Sequence, residues 1–385
     1  MVSHSSFDDT TVEYRYSVIP LQSPHLRNLP ALFHRKTTVQ DHSLPSRKQQ
    51  HVDLCVNDDV TFRAKTTGLE RYELDYDALP EIDLADVTTD ISFFGHPCSM
   101  PIMITGMTGG YADAERINTM LGEVCDELRI PMGLGSIRAA MVDEAQLPTY
   151  ASAARPERTF PLVANIGAAQ IADWKNTEPR LMHVLDSLGA DIVAVHLNPL
   201  QELLQPEGEP RFRGVLDGIA ALVRGTDRPV IVKEVGAGIS GAVARRLVGV
   251  GVHGIDVAGA GGTSWAGVEI LRRDDGQRMD HLWDVGIPTA ECVREVASVL
   301  STVVPRPLLI ASGGIMSGTD VAKCIALGAD CCGVARPVIS AIMNEGVTGA
   351  VALLRTLELH LRQWMFLTGS ATIADLRHAR LRSSA

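Results

Sequence analysis

The sequence predicts a (β/α)8 TIM barrel, an α/β fold. Short apolar runs recur along the chain, each ending in a polar or glycine-rich turn. Amphipathic stretches separate them. The composition agrees: aromatics are only 5 % and glycine reaches 34 residues. Small and β-branched residues with tight turns suit a parallel sheet covered by helices. Eight such repeats over about 240 residues close a barrel. An open doubly wound sheet is the alternative, but no GxGxxG follows the first run.

Residues 1 to about 45 are polar and rich in Ser, His and Pro, and are expected to form a flexible extension. The barrel domain is expected over 46–385. Before the first strand, "SRKQQHVDL" holds Arg47, Lys48 and His51. As a helix it places Lys48 and His51, three apart, on one face. The strand candidates then follow in order: "PIMITGMTGG" (101–110), "IPMGLGSIR" (130–138), "FPLVANIGAAQ" (160–170), "DIVAVHLN" (191–198), "PVIVKEVGAGIS" (229–240), "GIDVAGAGGTS" (254–264), "PLLIASGGIMSG" (307–318) and "DCCGVARP" (330–337). Among the helices, "SGAVARRLVGVG" puts Val243, Leu247 and Val248 on one face and stops at Gly249 and Gly251. "GTDVAKCIALGAD" carries Asp320 in its first turn and Gly328 at its stop.

Bulk properties narrow the partners. A net charge of −11 excludes wholesale nucleic-acid binding. No uninterrupted apolar run approaches the ~18 residues of a membrane span. The N-terminus lacks the basic and apolar regions of a secretory signal. Seven cysteines without a CxxC read as reduced core thiols of a cytoplasmic protein.

Chemistry in this fold sits at the C-terminal ends of the strands. The runs end in Thr108, Ser136 and Arg138, Asn165, His196 and Asn198, Lys233 and Glu234, Thr263, Gly313 and Gly314, and Arg336. Gly313-Gly314 and the "GVARP" turn follow strands seven and eight, where such barrels cradle phosphate. Gly-Gly is also an ordinary tight turn. Lys233 ends a buried strand and needs an anionic or carbonyl partner, which the N1–C2=O edge of a flavin supplies. Asn165, Ser136 and Thr108 suit the ring's heteroatoms, or the barrel's own backbone. In "HLNPLQELLQPEG", Glu202 stands among His196, Asn198 and Gln201. That set suits a hard divalent cation, Mg²⁺, held mainly through water and substrate phosphate. A solvated loop acid is the plainer reading. Arg47, Lys48 and Arg138 could clamp a diphosphate, or the first two could belong to a solvated helix face.

Together these pieces resemble the type 2, flavin-dependent isopentenyl-diphosphate isomerases. The resemblance rests on "RKQQH", "MTGG", "GSIR", "NIG", "HLNPLQELLQPEG", "VKEVGAGIS", "DVAGAGGTSW", "GIPT" and "ASGGIMSGTDVAKCIALGAD", from about Arg47 to the last helix. It implies conversion of isopentenyl diphosphate to dimethylallyl diphosphate with reduced FMN, Mg²⁺ and NADPH as reductant, in a homotetramer or homo-octamer. It implies FMN contacts from Gly106, Met107, Thr108, Ser136, Asn165, Lys233, Thr263, Gly314, Ile315, Met316, Ala335 and Arg336. Substrate contacts would come from Arg47, Lys48, His51, Ser136, Ile137, Arg138, His196, Asn198 and Gln201. Gln201, His196 and Lys233 would serve catalysis, and Glu202 would hold Mg²⁺. Five positions depart from the usual pattern: Ile137 for Gln, Val285 for Trp, Met316 for Arg, and Glu209-Pro210 for Asp-Arg. Rival readings are another FMN barrel of the 2-hydroxyacid oxidase or IMP dehydrogenase type, and a non-catalytic homologue. The approach to strand seven lacks the oxidases' His, and "GGTSWAGVE" lacks the dehydrogenase's Cys.

Overall fold

Eight parallel strands form a closed barrel in the computed structural model, which describes residues 44–151, 153–155 and 157–383. They are β1 (Ile102–Ile104), β2 (Met132–Ser136), β3 (Leu162–Gly167), β4 (Ile192–His196), β5 (Val230–Lys233), β6 (Gly254–Asp256), β7 (Leu308–Ser312) and β8 (Cys331–Val334). Each lies within one of the eight expected runs. Neighbours pair in chain order, and β8 returns to β1. The expected extension lies almost wholly outside the described residues, since the first helix begins at Leu44.

Side-chain alternation divides the core in two. Outward residues such as Val193, Val195, Val230, Val232 and Leu309 pack under the helices. Inward residues Met103, Val163, Ala194, Ile231, Ile310 and Cys331 fill the barrel. A hairpin, Ile91–Phe93 with His96–Cys98, adds Phe93 and Cys98 to this inner cluster at the N-terminal end. Its two-residue turn has positive φ at both Phe94 (49°) and Gly95 (88°), the conformation that matches strand twist. Two residues on from the apolar plug, the same parity delivers Asn165, His196, Lys233 and Ser312 to the C-terminal mouth.

Six helices matter below: α1 (Leu44–Asn57), α2 (Pro199–Leu204), α3 (Gly241–Gly249), α4 (Trp265–Arg272), α5 (Gly318–Ala326) and α6 (Arg336–Leu367). The basic segment 46–54 is helical as expected. In α3 the fully buried line is Gly241, Ala244 and Leu247, with Val243 and Val248 half-buried beside it. Helix α5 opens with a reciprocal Ser317–Asp320 capping box. Helix α6 is long and apolar enough, by composition, to cross a membrane. Gly346 breaks it (φ 68°, ψ −158°), and Leu354, Leu357, Leu361 and Met365 bury a regular stripe against the core. All seven cysteines are free and buried.

Candidate active site

The barrel mouth opens into a cavity of about 620 Å³. That is within the range of pockets that enclose drug-sized ligands. Its walls bring together nearly every residue singled out from the sequence. Arg47, Lys48 and His51 come from α1, and His196, Asn198, Gln201 and Glu202 from β4 and α2. Gly106, Met107, Ser136, Arg138, Asn165, Lys233, Thr263, Gly314, Ile315, Met316, Ala335 and Arg336 complete the expected set.

Two residues do not join them. Thr108 is buried and gives its hydroxyl to Asn118, away from the cavity. Ile137 is wholly buried in the core and donates its N–H to the Asn165 carbonyl at 2.8 Å. Strand alternation ends at Ser136, where the backbone turns into the short helix Arg138–Val142. Ser136 and Arg138 therefore face the mouth while Ile137 faces the core. Glu234 also turns away from the cavity: one carboxylate oxygen accepts the N–H groups of Val235, Gly236 and Ala237 at 2.5–2.7 Å.

The centre of the mouth is polar. His196 Nδ1 lies 2.8 Å from Asn165 Oδ1, so the bond assigns the proton to Nδ1 and leaves Nε2 as an acceptor. Burial, with Lys233, Lys48 and Arg47 nearby, pushes His196 down to about 3. Lys233 donates to the Glu234 carbonyl at 2.5 Å and keeps two further donors. Lys48 donates to the Gly109 carbonyl (2.5 Å), the Ser136 carbonyl (2.8 Å) and the Tyr150 hydroxyl (2.8 Å). All three partners are neutral. Burial, and Arg47 next to it, lower Lys48 to about 7.

A charged network, missed in the sequence, fixes the α1–α2–α4 corner. Glu269 is completely buried, yet held near 2: burial raises it, but His51, Arg272 and Gln201 outweigh that. Arg272 donates to Glu269 (2.5 Å), to Glu207 (2.8 Å) and to Gln50 (3.0 Å). Gln201 donates to Glu269 at 2.9 Å and accepts from Asn198 at 3.1 Å. His51 Nε2 lies 2.9 Å from Glu269, outside hydrogen-bonding angles, and its ring meets Trp265 edge-on at 5.1 Å. Gln205, in the amide orientation that satisfies both neighbours, accepts from Arg47 at 2.6 Å and donates to Glu269 at 3.3 Å. The legible signal was "WAGVEILRR", an i,i+3 acid–base pair inside an otherwise apolar helix.

The donor sets suit particular ligands. Gly313 and Gly314 have positive φ (102° and 75°) and pack onto the backbone of Gly259 and Gly262, with no room for a Cβ. Among the described residues, no hydrogen bond uses the N–H of Gly313, Gly314 or Ile315. Such a cradle fits a phosphate. Arg336 leaves less: its guanidinium donates to the Cys55 (2.8 Å) and Asp58 (3.2 Å) carbonyls and ties down the end of α1. Arg47, in the cavity wall, keeps a buried Nε without a partner, a donor free for an anion. Glu202 accepts from Asn198 (3.0 Å) and from the Glu209 N–H (2.7 Å), and Asn198 Oδ1 is buried without a partner. No cluster of three metal-ligating side chains occurs among the described residues. One carboxylate and one carbonyl oxygen nevertheless suit a hard cation that keeps most of its water.

Solved mandelate oxidase in complex with (S)-2-phenylpropionate superposes with a TM-score of 0.63, covering 90 % of this chain and 99 % of that one at 21 % identity. Residues 40–163 and 193–383 match the FMN-dependent dehydrogenase family. Fold, mouth and match define the class: an enzyme barrel of the FMN-dependent dehydrogenase type. Three relatives are each called isopentenyl-diphosphate delta-isomerase. That of Chlorobium luteolum is 44 % identical, with 89 % of this chain and 97 % of it covered. That of Nostoc is 40 % identical (89 % and 97 %), and that of Methanothermobacter thermautotrophicus 41 % (87 % and 92 %). The chain belongs to the isopentenyl-diphosphate delta-isomerase family, in its FMN-dependent form.

Proposed function

We propose that the protein isomerises isopentenyl diphosphate to dimethylallyl diphosphate by a 1,3-proton shift that needs reduced FMN and Mg²⁺. The observation that carries this is one cavity holding a lysine at the barrel's strand ends, a glycine phosphate cradle and a separate basic and carboxylate corner. Bound at the strand ends beside Lys233, reduced FMN would supply a protonatable N5 and a negative N1–C2=O edge, chemistry that allows a proton shift without net redox change. Lys233 would hold that edge with its two remaining donors. Gly313 to Ile315 would hold the flavin phosphate through backbone N–H groups. Asn165 keeps its amide N–H groups for the ring while its carbonyl fixes His196.

The diphosphate goes to the opposite wall. Arg47 and Arg138 meet it, with Lys48 behind them. Glu202 and Asn198 would hold Mg²⁺, which would supply charge to neutralise the diphosphate. Gln201, anchored by Glu269 and Asn198, orients the substrate between the two walls. His196 stays neutral and offers only an acceptor. NADPH would supply the reducing electrons for the flavin, and the enzyme would work in the cytoplasm as a homotetramer or homo-octamer. Residues 1–45 are read as an appended extension of the barrel domain, 46–385.

An anaerobic assay of purified protein with isopentenyl diphosphate tests the proposal. Conversion is expected only with FMN reduced and Mg²⁺ present, and Glu202→Gln should flatten the Mg²⁺ dependence and lower turnover while FMN stays bound. Yellow protein that stays inert under those conditions would mean a non-catalytic binder instead. An unchanged Mg²⁺ titration in the variant would remove Glu202 from the metal site.

A further inference from the structure

One cation of the diphosphate wall is already engaged by a carboxylate of the protein. Arg138 Nη2 lies 3.0 Å from Glu209 Oε1, with side chains 29 % and 49 % exposed. Arg138 lines the cavity, whereas Glu209 stands outside its walls.

The backbone delivers that carboxylate to a fixed place. The N–H of Glu209 is held by the buried Glu202 carboxylate at 2.7 Å. Its carbonyl accepts from Arg211 at 2.6 Å. Pro210 follows and restricts Glu209 to extended conformations. Gly208 precedes it, where a Cβ would sit 2.0 Å from the Glu202 carbonyl. The loop thus joins the candidate metal ligand and the candidate diphosphate contact through one residue, by its backbone on one side and its side chain on the other.

We propose that Glu209 is a specificity-determining latch on Arg138, whose carboxylate the incoming diphosphate has to displace. This rests on the reading of Arg138 as a diphosphate contact. With no ligand, the pair keeps Arg138 folded over the mouth. With ligand, the guanidinium turns to an anion of higher charge and Glu209 returns to solvent. A singly charged anion competes less well with the carboxylate than a diphosphate does, so the latch selects for charge. It acts on binding and leaves the proton transfer alone.

The test is calorimetric titration of inorganic pyrophosphate into the FMN-supplemented protein without Mg²⁺. It compares the parent with Glu209→Gln, Arg138→Gln and the double variant. Glu209→Gln keeps the backbone N–H that holds Glu202 and a side chain of equal size, at a half-exposed position. At low ionic strength it should bind pyrophosphate about two- to five-fold more tightly, the range for releasing an exposed ion pair. The gain should shrink with added salt. It should be absent when Arg138 is already Gln. Unchanged or weaker binding by Glu209→Gln would overturn the latch. So would an equal gain in the Arg138→Gln background, which would mean general charge repulsion only. Failure of the parent to bind pyrophosphate at all would instead bring down the diphosphate wall itself, and the latch with it.

Discussion

His196 ends a strand inside a barrel, and that single fact sets its chemistry. Burial, with three cations nearby, favours the neutral ring and lowers its pKa to about 3 from the ordinary 6.5. The unfolded chain takes up this proton at about 6.5 and the folded protein near 3. The unfolded state therefore binds more protons between those values. The stability that this neutral ring contributes is complete above 6.5 and is lost as pH falls toward 3. We predict that the His196 ring signals in NMR stay those of neutral imidazole from pH 8 to pH 5. A midpoint near 6.5 would show the ring to be solvated and the mouth to be wet. Lys233, His196 and Asn165 were legible because period-2 alternation from apolar partners fixes which way they face. Thr108 and Ile137 lie off the cavity: Thr108 stands four residues past the end of β1, where no alternation fixes its direction, and Ile137 alternates with Ser136 and Arg138. Glu269 was missed because a carboxylate inside a helix usually faces water, and only the tertiary approach of His51, Arg272 and Gln201 explains its burial.

At the scale of elements, two loops and one helix make the mouth. The loop after β7 reaches its conformation through positive φ at Gly313 and Gly314, and it abuts the loop after β6 at Gly262. A Cβ on Gly314 would fall 2.5 Å from Thr67 Cγ2 and 2.9 Å from the Gly262 N. Gly314→Ala should weaken FMN binding at least about tenfold by fluorescence titration, through strain at positive φ and a displaced cradle. Far-UV circular dichroism should be retained. Unaltered affinity would move the phosphate elsewhere. Helix α1 is the other half of the mouth. Gln50 and Cys55 join it to Arg272 and Arg336, and Lys48 sits on the carbonyls of two loops. The spacing of Lys48 and His51 revealed the helix face, but not that the face would be buried. The covering loops come from β1 and β2, more than fifty residues away in sequence.

Over the whole molecule, the eightfold rhythm of apolar runs was enough to foretell the barrel, and each run holds a strand. The floor was not legible. The hairpin 91–98 is short, its turn is Phe94-Gly95 in place of the usual Asn-Gly, and nothing local says that Phe93 enters the barrel. The pairing of Tyr72–Leu74 with Leu381–Ser383 was equally hidden, being nonlocal by some three hundred residues. Phe93 is fully buried among Met103, Val163, Ile192 and Ile231. Phe93→Ala should cost about 3–5 kcal/mol in chemical denaturation, the usual loss for a buried aromatic. A loss below about 1 kcal/mol would mean the floor repacks without it. With the floor closed and the mouth polar, the proposed isomerisation needs a flavin that works without being consumed. The most direct measurement is anaerobic turnover with one equivalent of prereduced FMN per site, following product and flavin absorbance together. Many dimethylallyl diphosphates per flavin are expected, with the spectrum remaining that of the reduced form. Product that stops at one per flavin as the cofactor oxidises would contradict it.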